Sequence, residues 1–230
     1  MSRSPLANEV ILGWLDELGN RHITDARRVA AKAVTALKNH LLAKPAGWSD
    51  SDLDIAFAAA VLFRSIHDFT FLVEETIYPE WVSDHDKVER IWCRFCNCRE
   101  RFEFAQGLAQ GPIVDQLSRF LAEIERAFVS TYGHGTYISL TLVIDELVCS
   151  ICDCDLRGCE HSPGNLYAGR LCRGVARRIR FRESGNVGSL VQVPRDPRCR
   201  VWPWQAKNRP CEILYLATFK IDDFMEQDDW

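Results

Sequence analysis

The residues that most plainly carry chemistry are clustered. Cys149-Ser150-Ile151-Cys152 forms a Cys-x2-Cys pair, and Cys159-Glu160-His161 follows a few residues later. Two cysteines three positions apart make a turn whose amides can face the thiolates, and Cys-x-His adds two donors from a second turn. Four soft or borderline donors satisfy a tetrahedral zinc ion and leave no open coordination position, so the chemistry implied is structural zinc binding rather than catalysis. The competing reading is a set of ordinary buried thiols, because cysteine is among the most buried residue types. Gly158, Pro163 and Gly164 around the donors read as turns and not as a periodic apolar pattern, which favours the metal. Cys154 and Cys172 are spare thiols, and either could replace His161 as the fourth ligand.

Three further cysteines, Cys93, Cys96 and Cys98, fall on a predicted helix. Cys93 and Cys96 share a face there, so core packing is favoured over a second metal or redox site. His67-Asp68 and His85-Asp86 resemble the paired His-Asp ligands of metal-dependent hydrolases, in which clustered ligands activate water. The same dipeptides are also common on helix surfaces and in satisfied cores. The chain has no P-loop, no dinucleotide glycine motif and no nucleophile elbow.

Beside the Cys/His cluster lies a basic stripe. Residues 157–209 hold 12 basic and three acidic side chains, whereas the chain as a whole has a formal charge of −4. If Ala176–Arg182 is a strand, Arg178, Arg180 and Arg182 project from one face and Ile179 and Phe181 from the other. Arg195, Arg198, Arg200, Lys207 and Arg209 extend the stripe, and Trp202 and Trp204 are available for stacking. Guanidinium groups bind phosphate bidentately and aromatic faces stack on bases, so nucleic acid is one partner such a surface fits. Internal pairing with the acidic tail Asp222–Asp229, or contact with a protein, is the other reading and the one favoured here.

The elements that must position these residues divide the chain in two. Apolar residues recur at helical spacing over 8–18 and 24–42, and the second stretch ends at Lys44-Pro45-Ala46-Gly47. Ser49-Asp50-Ser51-Asp52 caps a third helix over 53–77, stopped by Pro79. Helices over 84–106 and 112–132 complete an all-α domain at 1–133. Beyond Gly133-His134-Gly135 the texture changes. Tyr137–Ile144 reads as a strand, with a short helix as its rival, and strand-like runs recur at 174–181, 189–193 and 212–219. The expected fold class is α+β, an N-terminal helical domain followed by a zinc-stabilised β-rich module at 134–230 with an acidic tail.

The run Cys149-x2-Cys152-x6-Cys159-x-His161-x2-Gly164-x2-Tyr167-x-Gly169-x2-Cys172, followed by Ser189-Leu190-Val191 and Pro194-x2-Pro197, resembles an uncharacterised Cys/His module of bacterial and phage proteins. The resemblance spans about 148–201 and brings no activity with it. Asp153 departs from that pattern, in which glycine often follows the second cysteine.

Ten cysteines without a secretory h-region point to thiols and metal in a reducing cytoplasm, not to a disulfide framework. The longest apolar run, Ile55–Phe63, is too short for a membrane span. The function expected from these features is a non-enzymatic zinc-containing protein-interaction or assembly factor of a mobile-element or antiviral-defence setting. A nucleic-acid-binding protein is the alternative, and a metal-dependent hydrolase the third reading.

Overall fold

The computed structural model describes residues 5–106, 112–140, 142–181 and 188–202. Arg182, Trp204, Lys207, Arg209, the strand-like run 212–219 and the acidic tail lie outside the described residues. Five helices come first: α1 (Pro5–Gly19), α2 (Ile23–Ala43), α3 (Asp50–Thr76), α4 (His85–Gln106) and α5 (Pro112–Tyr132). Seven strands follow: β1 (Thr136–Leu140), β2 (Leu142–Cys149), β3 (Leu166–Tyr167), β4 (Arg170–Leu171), β5 (Gly174–Phe181), β6 (Gly188–Val191) and β7 (Arg200–Val201). The fold is therefore α+β, with the strands confined to the C-terminal part.

Two compact units emerge. One holds the residues up to Asn39, Ala58–Gly135 and Trp202, and the other holds His40–Phe57 together with Thr136–Val201. The first is a helical core around Trp14, Leu18, Ile66, Phe69, Leu72, Phe95, Leu117 and Phe128, all fully buried. Trp14 can lie inside because its indole N–H donates to the Thr70 hydroxyl at 2.8 Å, which removes the cost of burying an unpaired donor.

By length and composition α3 is long and apolar enough to cross a membrane, and 50% of its most apolar window is buried inside the protein. The apolarity is used in packing: Phe63, Ile66, Phe69, Leu72 and Val73 of α3 all belong to the core. The helix starts on a reciprocal cap. The Asp52 carboxylate accepts from both the backbone N–H (2.8 Å) and the hydroxyl (2.7 Å) of Ser49, while the Asp52 N–H donates back to the Ser49 hydroxyl at 3.2 Å. Those bonds hold the Asp52 carboxyl below its ordinary value.

In the second unit β1 sits between β6 and β7, β2 pairs antiparallel with β5, and β3 pairs with β4. The β2–β5 register runs from Leu142↔Phe181 to Cys149↔Gly174 and slips on either side of Glu146. The register skips Asp145 on β2 and Arg177 on β5, as bulges require. The β3–β4 turn packs on the corner between α2 and α3. Gly169 has φ +73, and a Cβ there would stand 2.9 Å from Leu41 Cδ2 and 3.1 Å from both Cβ and the carbonyl oxygen of Leu53. Its N–H donates to Asp54 at 2.7 Å. Both the left-handed backbone and the close approach call for glycine. Gly169→Ala is accordingly expected to destabilise the second unit by about 1–3 kcal/mol, read by chemical denaturation, from overpacking and backbone strain. Unchanged stability would contradict this packing.

Candidate metal centre

β2 delivers Cys149 at its last position and the chain then turns tightly. The Cys149 N–H donates to the Cys154 carbonyl at 2.8 Å, and the Asp153 N–H donates to the Cys149 carbonyl at 2.9 Å. This turn places Asp153 at φ +65. Glycine would enter that conformation without steric cost. Aspartate tolerates it better than most side chains. Asp153 also pairs with Arg177 of β5.

A second turn brings Cys159 and His161 opposite the first. The Ile151 N–H donates to Cys149 Sγ at 3.3 Å and the His161 N–H to Cys159 Sγ at 3.2 Å, so each turn aims an amide at its own sulfur. The His161 ring stands edge-on to Tyr167 at 4.6 Å between centroids, and the Tyr167 hydroxyl accepts from the Ser162 N–H at 2.9 Å. Aromatic packing therefore fixes the imidazole with Nδ1 3.2 Å from Cys159 Sγ.

The donor atoms of Cys149, Cys152, Cys159 and His161 all lie within 4.8 Å of one another. Zinc–sulfur bonds of about 2.3 Å in a tetrahedron imply sulfur–sulfur separations of about 3.8 Å. The Cys152–Cys159 distance of 3.4 Å is close to that edge length. The arrangement thus fits a divalent metal in both donor type and donor spacing.

Protonation follows the crowding. Burial opposes ionisation of Cys149, but the backbone N–H groups of Cys152 and Ile151 and the thiols of Cys159 and Cys152 outweigh it and bring the Cys149 thiol down to about 6. The His161 N–H favours a Cys159 thiolate, yet burial and donation toward Cys152 and Cys149 push Cys159 up to about 12. One thiol ionises easily and its neighbour resists, as repulsion between adjacent thiolates dictates. A divalent cation among the donors reverses that penalty.

The four-membered set includes neither spare thiol, although Cys172 Sγ stands one tetrahedral edge length from Cys149 Sγ. Cys172 is buried with its sulfur 3.8 Å from Cys149 Sγ, and burial together with donation toward Cys149 raises its pKa. Cys154 is exposed and directs its thiol at the Cys152 carbonyl, 3.6 Å away. On α4, Cys96 and Cys98 are buried in the helical core. The Ser65 hydroxyl donates to the Cys98 carbonyl at 3.0 Å, and burial drives the Cys98 thiol up to about 12 against the opposing Ser65 hydrogen bond, leaving it inert. The nine described cysteines form no disulfide.

The His-Asp pairs have other surroundings. Among the described residues, the groups spaced to hold a metal are the Cys/His set and a surface trio, Glu17, His22 and Asp25; His67, Asp68, His85 and Asp86 are in neither. Asp68 is fully buried, with Arg94 Nη1 3.1 Å and Arg64 Nε 3.7 Å from Oδ1 and Arg101 bonded to Oδ2. Local spacing shows only Arg64, four residues before Asp68 on α3; Arg94 and Arg101 come from α4 and leave no local mark. Burial alone would raise the Asp68 carboxyl, but the His67 ring and the charges of Arg101, Arg64 and Arg94 together hold it below the usual carboxylate range. A carboxyl depressed in the folded state stabilises the protein above its unfolded pKa, about 4, and that contribution is lost as pH falls through the folded value. Stability should therefore drop on acidification below about pH 4, and Asp68→Asn should flatten that acid limb in urea titrations. An identical acid limb in the variant would remove Asp68 as its source.

Arg178 and Arg180 share one face of β5 and both are exposed, as strand alternation requires. On the opposite face Ile179 is 52% exposed, so that face is open as well. Arg180 Nε donates to Asp145 Oδ2 at 3.0 Å, and Arg157 and Arg198 pair with Asp155 and Asp196. Neighbouring carboxylates thus neutralise much of the stripe internally. Trp202 packs edge-on against Trp92, Phe128 and Tyr132 at 5.3–6.1 Å, which makes it a core contact and not a free stacking platform.

Comparison of the chain with protein-family models, with curated proteins and with solved structures gives no match.

Proposed function

We propose that Cys149, Cys152, Cys159 and His161 hold one structural zinc ion, and that the protein is a non-enzymatic interaction or assembly factor of a reducing cytoplasm. The observation that carries the metal reading is the closed set of three sulfurs and one imidazole nitrogen within 4.8 Å. Thiolate-rich donors select zinc over magnesium or calcium, and four protein donors leave no position for substrate or an activated water. Bound there, the ion supplies cross-linking free energy to a small unit with little core of its own.

The interaction reading is supported by the β2–β5 ribbon beside the site, where Leu142, Ile144, Val175 and Ile179 are all exposed. Exposed apolar side chains such as the directly paired Ile144 and Ile179 suit a protein contact better than a catalytic cleft. The resemblance to bacterial and phage modules extends the proposal to a mobile-element or antiviral-defence setting. Nucleic-acid binding through Arg178 and Arg180 ranks second, because Arg180 is already paired.

Elemental analysis of protein purified without chelator should find about one zinc per chain, as a single closed site requires. Metal-free protein with an intact second unit would overturn the reading. Absence of binding to DNA or RNA even at low salt would remove the nucleic-acid alternative, since phosphate contacts are strongest there.

A further inference from the structure

The helical unit holds a second concentration of charge, remote in kind from the Cys/His cluster. Arg64 of α3 and Arg94 and Arg101 of α4 converge on Asp68, which is fully buried. One carboxylate needs one cation, and this one is given three. Among the described residues no other carboxylate lies within ion-pair distance of these guanidinium groups, so two positive charges are uncompensated. A neighbouring arginine does not share this surplus, because Arg27 is paired with Glu74.

The surplus charges face solvent and are held in place. The side chains of Arg64, Arg94 and Arg101 are 44%, 30% and 34% exposed. Each guanidinium carries five N–H donors; Arg94 and Arg101 each spend one on Asp68, and Arg64 is ion-paired to it at 3.7 Å without a hydrogen bond. The Arg94 guanidinium lies 4.2 Å over the Phe71 ring, which fixes its plane. Anchoring on Asp68 and stacking on Phe71 thus order the donors before any ligand arrives, which lowers the entropic cost of binding.

We propose that Arg64, Arg94 and Arg101, anchored by Asp68, form a binding site for the phosphate group of a small ligand. A phosphate monoester carries a charge of about −1.5 to −2 at neutral pH and three acceptor oxygens, matching both the surplus of two and the fork geometry of the guanidinium donors. A single carboxylate would neutralise only half of that surplus. The site makes no use of the zinc ligands and stands or falls apart from the metal reading.

The test is calorimetric titration of the full chain, as purified, with inorganic phosphate and separately with adenosine monophosphate, with ionic strength held constant by chloride. Saturable one-site binding is expected, with the two ligands competing. Tighter binding of the monoester supports an ester as the ligand, and equal or tighter binding of inorganic phosphate supports the free ion. Losing a charge-assisted hydrogen bond should weaken binding about tenfold or more in Arg101→Gln. Arg64→Gln removes the most exposed member, keeps the fold safest, and should show a loss in the same direction. Arg126→Gln, on the exposed face of α5, is the control and should bind as wild type. No saturation above the chloride baseline overturns the proposal, as does wild-type affinity in a folded Arg64→Gln protein.

Discussion

Cys159→Ala is expected to yield protein that carries no zinc and whose β2–β5 ribbon is open to protease, while the helical circular-dichroism signal largely persists. Structural zinc in small modules contributes an apparent ~10–16 kcal/mol, comparable with or larger than the ~5–15 kcal/mol that stabilises a whole domain. Removing one of four donors forfeits most of that. The second unit has few buried side chains to fall back on, Val148, Cys149 and Cys172 among them. The helices keep their own core of Trp14, Phe69, Phe95 and Phe128 and have no donor in the set. Cys154→Ala and Cys172→Ala serve as contrasts and should retain the metal. Retention of zinc by Cys159→Ala together with its loss from Cys172→Ala would mean that the ligand set has been misassigned.

The second large effect is expected in the helical unit. Phe128 is fully buried, and its ring lies 5.0 Å from that of Trp92 and 6.1 Å from those of Trp81, Tyr132 and Trp202. Phe128→Ala leaves a void that four large, stiff rings cannot collapse to fill, so the loss should fall at about 3–5 kcal/mol. Urea unfolding followed by tryptophan fluorescence measures it, because three of the neighbouring rings are indoles. A loss under about 1 kcal/mol would show that the rings do not form a packed cluster.

What the sequence discloses is what local rules govern. The helices were legible because caps and stops are short-range: Ser49 with Asp52 opens α3, and Pro79 lies just past its end. The clustering of Cys149, Cys152, Cys159 and His161 was legible because the four fall in two adjacent turns, so spacing carries the information. Two features were not legible, and for the same reason. Gly169 reads as an ordinary turn glycine until Leu41 and Leu53 close on it from a corner more than a hundred residues earlier. Asp68 reads as half of a His-Asp dipeptide until Arg94 and Arg101 arrive from another helix. Trp202 is a similar case, since nothing near it in sequence reveals Trp92 or Phe128. Contacts of long sequence separation leave no periodic mark, and the internal pairing of the arginine stripe with Asp145 depends on a bulge that pattern alone does not specify.

The compactness of the donor set in sequence has a consequence for the order in which the second unit assembles. All four donors lie between Cys149 and His161, whereas the outermost β2–β5 pair joins Leu142 to Phe181. Closing the shorter loop costs about 1 kcal/mol less chain entropy than closing the longer one, and the ribbon gains nothing from its far end until that end has been synthesised. Capture of the ion can therefore come first. The proposed ion, once bound, would fix the end of β2 as a template on which β5 zips outward from Gly174, and metal supply during synthesis would then pace the folding of this unit.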